Sequence, residues 1–112
     1  MTREEVIAAV AARQSLMGID LAGLDLSGLD LSLLDLAVAN LYETDLRGTN
    51  LSLSILCGAV LAGADLTNAN LHAADLRGAD LRRANLTNAN VRGTNFRGAD
   101  LTNAIRTGAK MF

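Results

Sequence analysis

Leucine stands at every fifth position from Leu16 to Leu101, with only Val91 and Phe96 substituting. An α-helix turns ~100° per residue, so positions five apart lie ~140° apart and cannot share a face. A strand alternates faces, so an odd period throws successive leucines to opposite sides. The pattern therefore predicts a chain that turns once per five residues and returns each leucine to one interior. The polar positions keep the same period. The residue before each centre is Asp or Asn in fifteen of eighteen repeats; Ser15, Ile55 and Val60 are the exceptions. The residue two before the centre is small from Ala39 to Ala99, which suits a narrow, close-packed interior. All ten glycines fall two residues after a centre, with Asn68, Asn88 and Asn103 in the same column. Gly and Asn tolerate the left-handed backbone that the third residue of a type II turn requires. One type II turn per repeat is the simplest account.

Residues 2–13 differ in kind. Thr2 and Glu5 form a capping box, and Val6, Ile7 and Val10 fall on one helical face. The first repeats carry Ile19, Leu24, Leu29 and Leu34 where later ones carry a small residue. A solenoid needs its end covered, so this segment is expected to be a short capping α-helix over the first coil. The expected organisation is a single domain, 1–112: the helix at 2–13, the repeats at 14–104 and a C-terminal tail at 105–112.

The phrases Leu71-His-Ala-Ala-Asp-Leu76 and Ala79-Asp-Leu-Arg-Arg-Ala84-Asn-Leu resemble the pentapeptide-repeat family, written A(D/N)LXX. The resemblance covers about residues 14 to 104. It implies an all-β fold: a right-handed, four-sided parallel β-helix, a solenoid of about 18 pentapeptide repeats with one repeat per side. Leu21, Leu24 and Leu26 mimic a leucine-rich repeat, but those repeats have periods of about 20 to 29.

Net charge is −2 over 112 residues, unevenly placed. Residues 16–65 carry seven acids against Arg47 alone, a net −6; residues 66–112 carry three acids against seven cations, a net +4. This axial asymmetry either steers an oriented partner or belongs to an ordinary solvated surface. No run of eighteen apolar residues is present, so no membrane-spanning helix is expected. Glu4 and Glu5 precede an alanine-rich stretch too weakly apolar for a signal peptide. Cys57 is the only cysteine, which rules out an internal disulfide. A reduced, cytoplasmic location is the expectation.

Twenty residues make four repeats, so positions twenty apart should stack. Asp25, Asp45 and Asp65 then form an acidic column. Each either accepts amide hydrogen bonds in its own turn, as Asx residues do, or contributes to metal binding, for which one ligand per coil builds no cage. Arg77 and Arg97 form a basic column that suits a solvated face or an anion. Nucleic acid is not expected, because the chain has one tyrosine, no tryptophan and no aromatic interleaving for base stacking. A third group breaks the pattern. Leu33, Val38, Glu43 and Leu53 occupy turn positions, where a bulky side chain dislikes positive φ, so these turns are expected to depart from type II. Ile55 and Val60 replace Asp or Asn, and Tyr42 and Cys57 lie outward nearby. Leu33, Val38, Tyr42, Leu53, Ile55 and Val60 are the candidate interaction patch; the competing reading is local burial over the turns. Ile105, Met111 and Phe112 are a candidate C-terminal contact, where Arg106 also breaks the centre column.

No catalytic constellation is legible. His72 stands alone, Cys57 has no cation beside it in sequence, and the glycines are spaced for turns rather than for phosphate. A packed solenoid is also expected to lack a cleft. The chain is therefore read as a non-enzymatic structural or protein-interaction module without cofactor or metal, its partner being another protein or a second copy. The alternative comes from the resemblance: some pentapeptide-repeat proteins mimic DNA and bind DNA gyrase. Against it, ~22 Å of duplex would present about thirteen charges at one per ~1.7 Å, whereas this chain has a basic half.

Overall fold

The computed structural model describes residues 1–112. After an N-terminal helix, the chain winds as a coil in which residue i bridges residue i+20 in parallel, from Asp20↔Asn40 down to Asn90↔Lys110. A turn falls every fifth residue, so each coil holds twenty residues and four turns. The pairing consists of isolated bridges, not extended strands, because a turn every five residues leaves one bridged position between corners. The molecule measures 33 × 21 × 21 Å.

One repeat shows where the backbone hydrogen bonds go. Leu46 N donates to Asp65 O (2.8 Å) and Gly48 N to Thr67 O (2.9 Å), both on the next coil. Asn50 N donates back to Leu29 O at 3.0 Å, and Thr49 N closes the turn onto Leu46 O at 3.2 Å. The fifth amide, Arg47 N, is taken by the carboxylate of Asp45 at 3.1 Å. This accounts for all five donors and explains the Asp/Asn column. That side chain caps the amide two residues on, as at Asp30 to Ser32, Asn70 to His72 and Asn95 to Arg97.

The turns at Leu33, Val38, Glu43 and Leu53 overturn the expectation of a departure. Their φ values are +62°, +51°, +53° and +59°, and each keeps the turn bond, such as Ala39 N to Leu36 O at 3.1 Å. The reason is the ladder. Leu33 N and Val38 N must donate to Ser52 O and Cys57 O on the next coil, so the chain accepts strained dihedrals rather than lose the rung. Ala73 and Arg83 do the same.

Centre leucines from Leu16 to Leu86 are buried and stack down the axis. The small column lies beside them; Thr44, Thr49 and Ser54 are buried there and donate their hydroxyls to Leu41, Leu46 and Leu51 O at 2.6–2.8 Å. Helix α1 spans Arg3–Ala11, with Thr2 as N-cap and the capping box formed. Val6 and Ala9 join the core cluster, and Val10 packs against it along with Ile19, Leu24 and Leu29. Ile7, expected on that face, is 45% exposed; the buried stripe is 6, 9 and 10, the spacing of adjacent helical turns. Arg3 fastens the helix by donating to Asp25 O at 3.0 Å and Ser27 O at 3.1 Å. At the other end, the coil continues into the segment expected as a tail: residues 107–108 form another turn and Lys110 bridges Asn90.

Candidate functional site

The register sorts the candidate patch residues. Leu33 and Leu53 are successive corners, one coil apart. The side that follows carries Ile55 and Cys57 and ends at the Val38 corner. Leu33 (74% exposed), Val38 (59%), Leu53 (54%) and Ile55 (41%) therefore share one side and its two edges. Tyr42 and Val60 lie on the next side, around the Val38 corner; Tyr42 is exposed and Val60 half-buried. Val38 reaches along its corner: a Cβ added at Gly58 would sit 3.0 Å from its Cγ1. Met17, exposed at 58% and stacked two coils from Cys57, extends the apolar side but was not singled out from the sequence. Its signal was the twenty-residue register, which places 17, 37 and 57 in one column.

The patch is also where the amide capping fails. Ile55 and Val60 have no side-chain acceptor, so the N–H groups of Cys57 and Ala62 have no partner within the protein. Ala62 is buried, at 2% exposed, where an unpaired donor is destabilising.

The acidic column behaves as capping residues do. Asp25 binds the Ser27 amide and hydroxyl, Asp65 those of Thr67, and Asp45 the Arg47 amide. The Ser27 hydroxyl holds the Asp25 carboxyl below its usual range, outweighing repulsion from Asp45. The Arg47 guanidinium, bidentate on Asp45 at 2.8 and 2.6 Å, lowers that carboxyl too. Arg77 on Asp75 and Arg82 on Asp80 repeat the pattern. No three of the His, Cys, Asp and Glu side chains converge on a common point.

Contrary to the expectation of no cleft, a groove of about 560 Å³ lies between the end of helix α1 with residues 13–15 and the end of the first coil. Arg13, Asp30, Ser32, Leu33, Leu34 and Asp35 are among its lining residues. Leu33 belongs to both groove and patch. The C-terminal candidates do not gather. Ile105 faces outward in the Asp/Asn column, while Met111 lines an apolar hollow of about 50 Å³ with Phe96 and Leu101. Phe112 is fully exposed, its carbonyl accepting from Arg92 Nε. In the last coil the amides of Asn95, Asp100, Ile105 and Lys110 donate back to the preceding coil, whereas those of Phe96, Gly98, Leu101 and Asn103 have no acceptor.

The pentapeptide-repeat family model matches residues 15–52, 54–83 and 79–112, in eight copies. The chain is a pentapeptide-repeat protein. This membership makes the coil a right-handed β-helix. HetL, a pentapeptide-repeat protein involved in heterocyst differentiation regulation from the cyanobacterium Nostoc, is 32% identical over 97% of this chain and 48% of its own, with a TM-score of 0.51. Another Nostoc pentapeptide-repeat protein, alr5209, is 35% identical over 84% of this chain and 69% of its own, TM-score 0.42. A trypsin-treated form of QnrB1, a plasmid-mediated fluoroquinolone resistance protein, shares the fold at 22% identity over 78% of this chain and 50% of its own, TM-score 0.63. The chain thus spans about half the length of HetL and of QnrB1. No curated protein sequence shows significant similarity to it. No helix is long and apolar enough to cross a membrane.

Proposed function

We propose that this pentapeptide-repeat protein is a non-enzymatic protein-interaction module: a four-sided solenoid of about 18 repeats whose docking surface is the side carrying Leu33, Val38, Leu53 and Ile55, with Tyr42 and Val60 at its margin. One observation carries the reading. Along this side and its edges the chain exposes aliphatic side chains, three of them, Leu33, Val38 and Leu53, at strained positive φ, and it gives up the amide cap at Ile55, as it does at Val60 on the neighbouring side. Departures from a repeat's own rules mark functional places, because each is destabilising alone.

The test is affinity capture from cells with wild type beside the variant Leu53→Asn, Ile55→Asp. Asn suits the left-handed turn and Asp restores the Cys57 cap, so the variant is expected to be at least as stable as wild type. A protein held by wild type and lost from the variant supports the module. Identical eluates from folded proteins remove it. The gyrase alternative rests on likeness to QnrB1, which at 22% identity is one of fold, and on the acidic half. The +4 carried by residues 66–112 weighs against DNA mimicry.

A further inference from the structure

We infer that the patch docks a cationic amphipathic segment of another protein, with aliphatic side chains on Leu33, Leu53 and Ile55 and a lysine or arginine in the groove beside Asp30 and Asp35. This rests on the patch reading above and adds the partner's chemistry.

The charge around the patch is the first support. Asp45, Asp75 and Asp80 are each neutralised by an arginine two residues on. Of the acids bordering the patch, Asp20, Asp30, Asp35 and Glu43 form no ion pair, while Asp75, bridged to Ile55, is paired with Arg77. The patch therefore meets unneutralised negative charge on its Asp30–Asp35 border and a neutralised Asp75 on the opposite one, in the half of the repeats that carries a net −6. Potential of one sign around an apolar surface selects a partner of the other sign.

Geometry is the second. The groove opens at Leu33, so a segment lying on Leu33 and Leu53 can send a long side chain directly into it. Asp30 and Asp35 each commit one oxygen, Oδ1, to the amides of Ser32 and Ala37 at 3.0 Å. The second oxygen of each carries no hydrogen bond and can meet a cation. Arg13, the one cation in the groove, pairs with neither.

Area and sign select among occupants. The whole molecule is only 21 Å across and three coils rise ~15 Å, so one side offers less than roughly 300 Å² against the ~800 Å² per partner of a standard interface. A second copy would also set the acidic border against itself. Phosphate-rich surfaces are repelled by the same border. A short segment anchored by a few side chains fits both the area and the charge.

The experiment uses fluorescence anisotropy on the full chain with two labelled synthetic peptides of about fifteen residues. One arranges Leu and Lys as an amphipathic helix, and the other replaces every Lys by Glu. The Leu–Lys peptide is expected to bind about tenfold or more tighter than its Glu counterpart. Asp30→Asn with Asp35→Asn is expected to weaken it about tenfold, because Asn keeps the amide cap while removing the charge. Asp65→Asn with Asp100→Asn, on other sides, is expected to leave binding unchanged. Three results would overturn the inference: the Glu peptide binding as tightly, neither peptide binding, or the distant pair mattering as much as Asp30 and Asp35. Undiminished Leu–Lys binding to Leu53→Asn, Ile55→Asp would instead sink the patch reading itself. Capture of a partner lost from that variant, with no Leu–Lys binding, would leave the patch standing and remove only the partner's charge.

Discussion

Each repeat is governed by two residue choices, one at the turn and one before the centre. At the turn, a left-handed residue with a side chain is strained by about 1–2 kcal/mol relative to glycine, and neighbours can add to that. Gly28 and Gly58 share the same backbone, with φ +71° and +68°, but an added Cβ meets nothing at Gly28 and lies 3.0 Å from Val38 Cγ1 at Gly58. Gly58→Ala should therefore destabilise more than Gly28→Ala, and Val38→Gly should erase the excess. A double-mutant cycle by chemical denaturation measures this; equal effects at both glycines would refute the contact. Before the centre, Asp and Asn cap the same amide, but only Asp titrates. The Ser32 and Thr102 hydroxyls hold the Asp30 and Asp100 carboxyls below their ordinary value of 3.8. A carboxyl whose pKa is depressed on folding adds stability above the unfolded pKa and loses it as pH falls through the folded value. Asp30→Asn with Asp100→Asn should thus leave the melting temperature at pH 7 nearly unchanged and lessen its fall as the pH drops below the ordinary carboxyl value of 3.8. A fall as steep as in wild type would contradict the cap. Both choices were legible as columns in the sequence. What the sequence hid was which rule yields when they conflict: Leu33, Val38 and Leu53 looked like broken turns, yet the inter-coil amides outrank the side chain's dihedral preference.

Helix α1 shows how far an element can be read without coordinates. Its cap was written in Thr2 and Glu5, and the need for a lid in Ile19, Leu24, Leu29 and Leu34. Its anchoring was not, because Arg3 binds main-chain carbonyls 22 and 24 residues away, and carbonyls leave no trace in a sequence. Nor was the groove, whose lining joins Val10 and residues 13–15 to Asp30, Ser32, Leu33, Leu34 and Asp35. Val6 is fully buried in the core cluster and is the helix's main apolar tie. Val6→Ala should lower stability by about 2 kcal/mol, the range for deleting buried methyl groups. Because Val6 ties the helix to the coil, the same change should speed hydrogen exchange at Leu16 and Gly18, whose amides donate from the first coil into the second. A loss of stability without faster exchange there would place Val6's contribution elsewhere.

The whole molecule is a stack whose two ends differ. At the first coil the apolar interior lies beneath a helix; at the last, Phe96 and Leu101 are only half-buried and the amides of Phe96, Gly98, Leu101 and Asn103 have no acceptor. In a solenoid each coil is held only by its neighbours, so in the chain of residues 1–112 local opening should be easier where the core is half-buried, at Phe96 and Leu101, than in the middle coils. Amide exchange should be slowest at the centres of the middle coils, Leu46 to Leu71, intermediate at Leu81 and Leu86, and fastest at Phe96, Leu101 and Arg106. The charge runs the same way, from acidic repeats under the helix to basic repeats over residues 66–112, and the outward aliphatic side lies wholly within the acidic half. A partner bound there would meet the part of the stack that opens least, so the strained turns at Leu33, Val38 and Leu53 are held where the ladder is best able to bear them. Exchange measured by mass spectrometry on the free chain at low concentration tests this arrangement. Protection at Phe96 and Leu101 equal to that at Leu56 would mean that the last coil is covered in solution and that the gradient read from the hydrogen bonds is wrong.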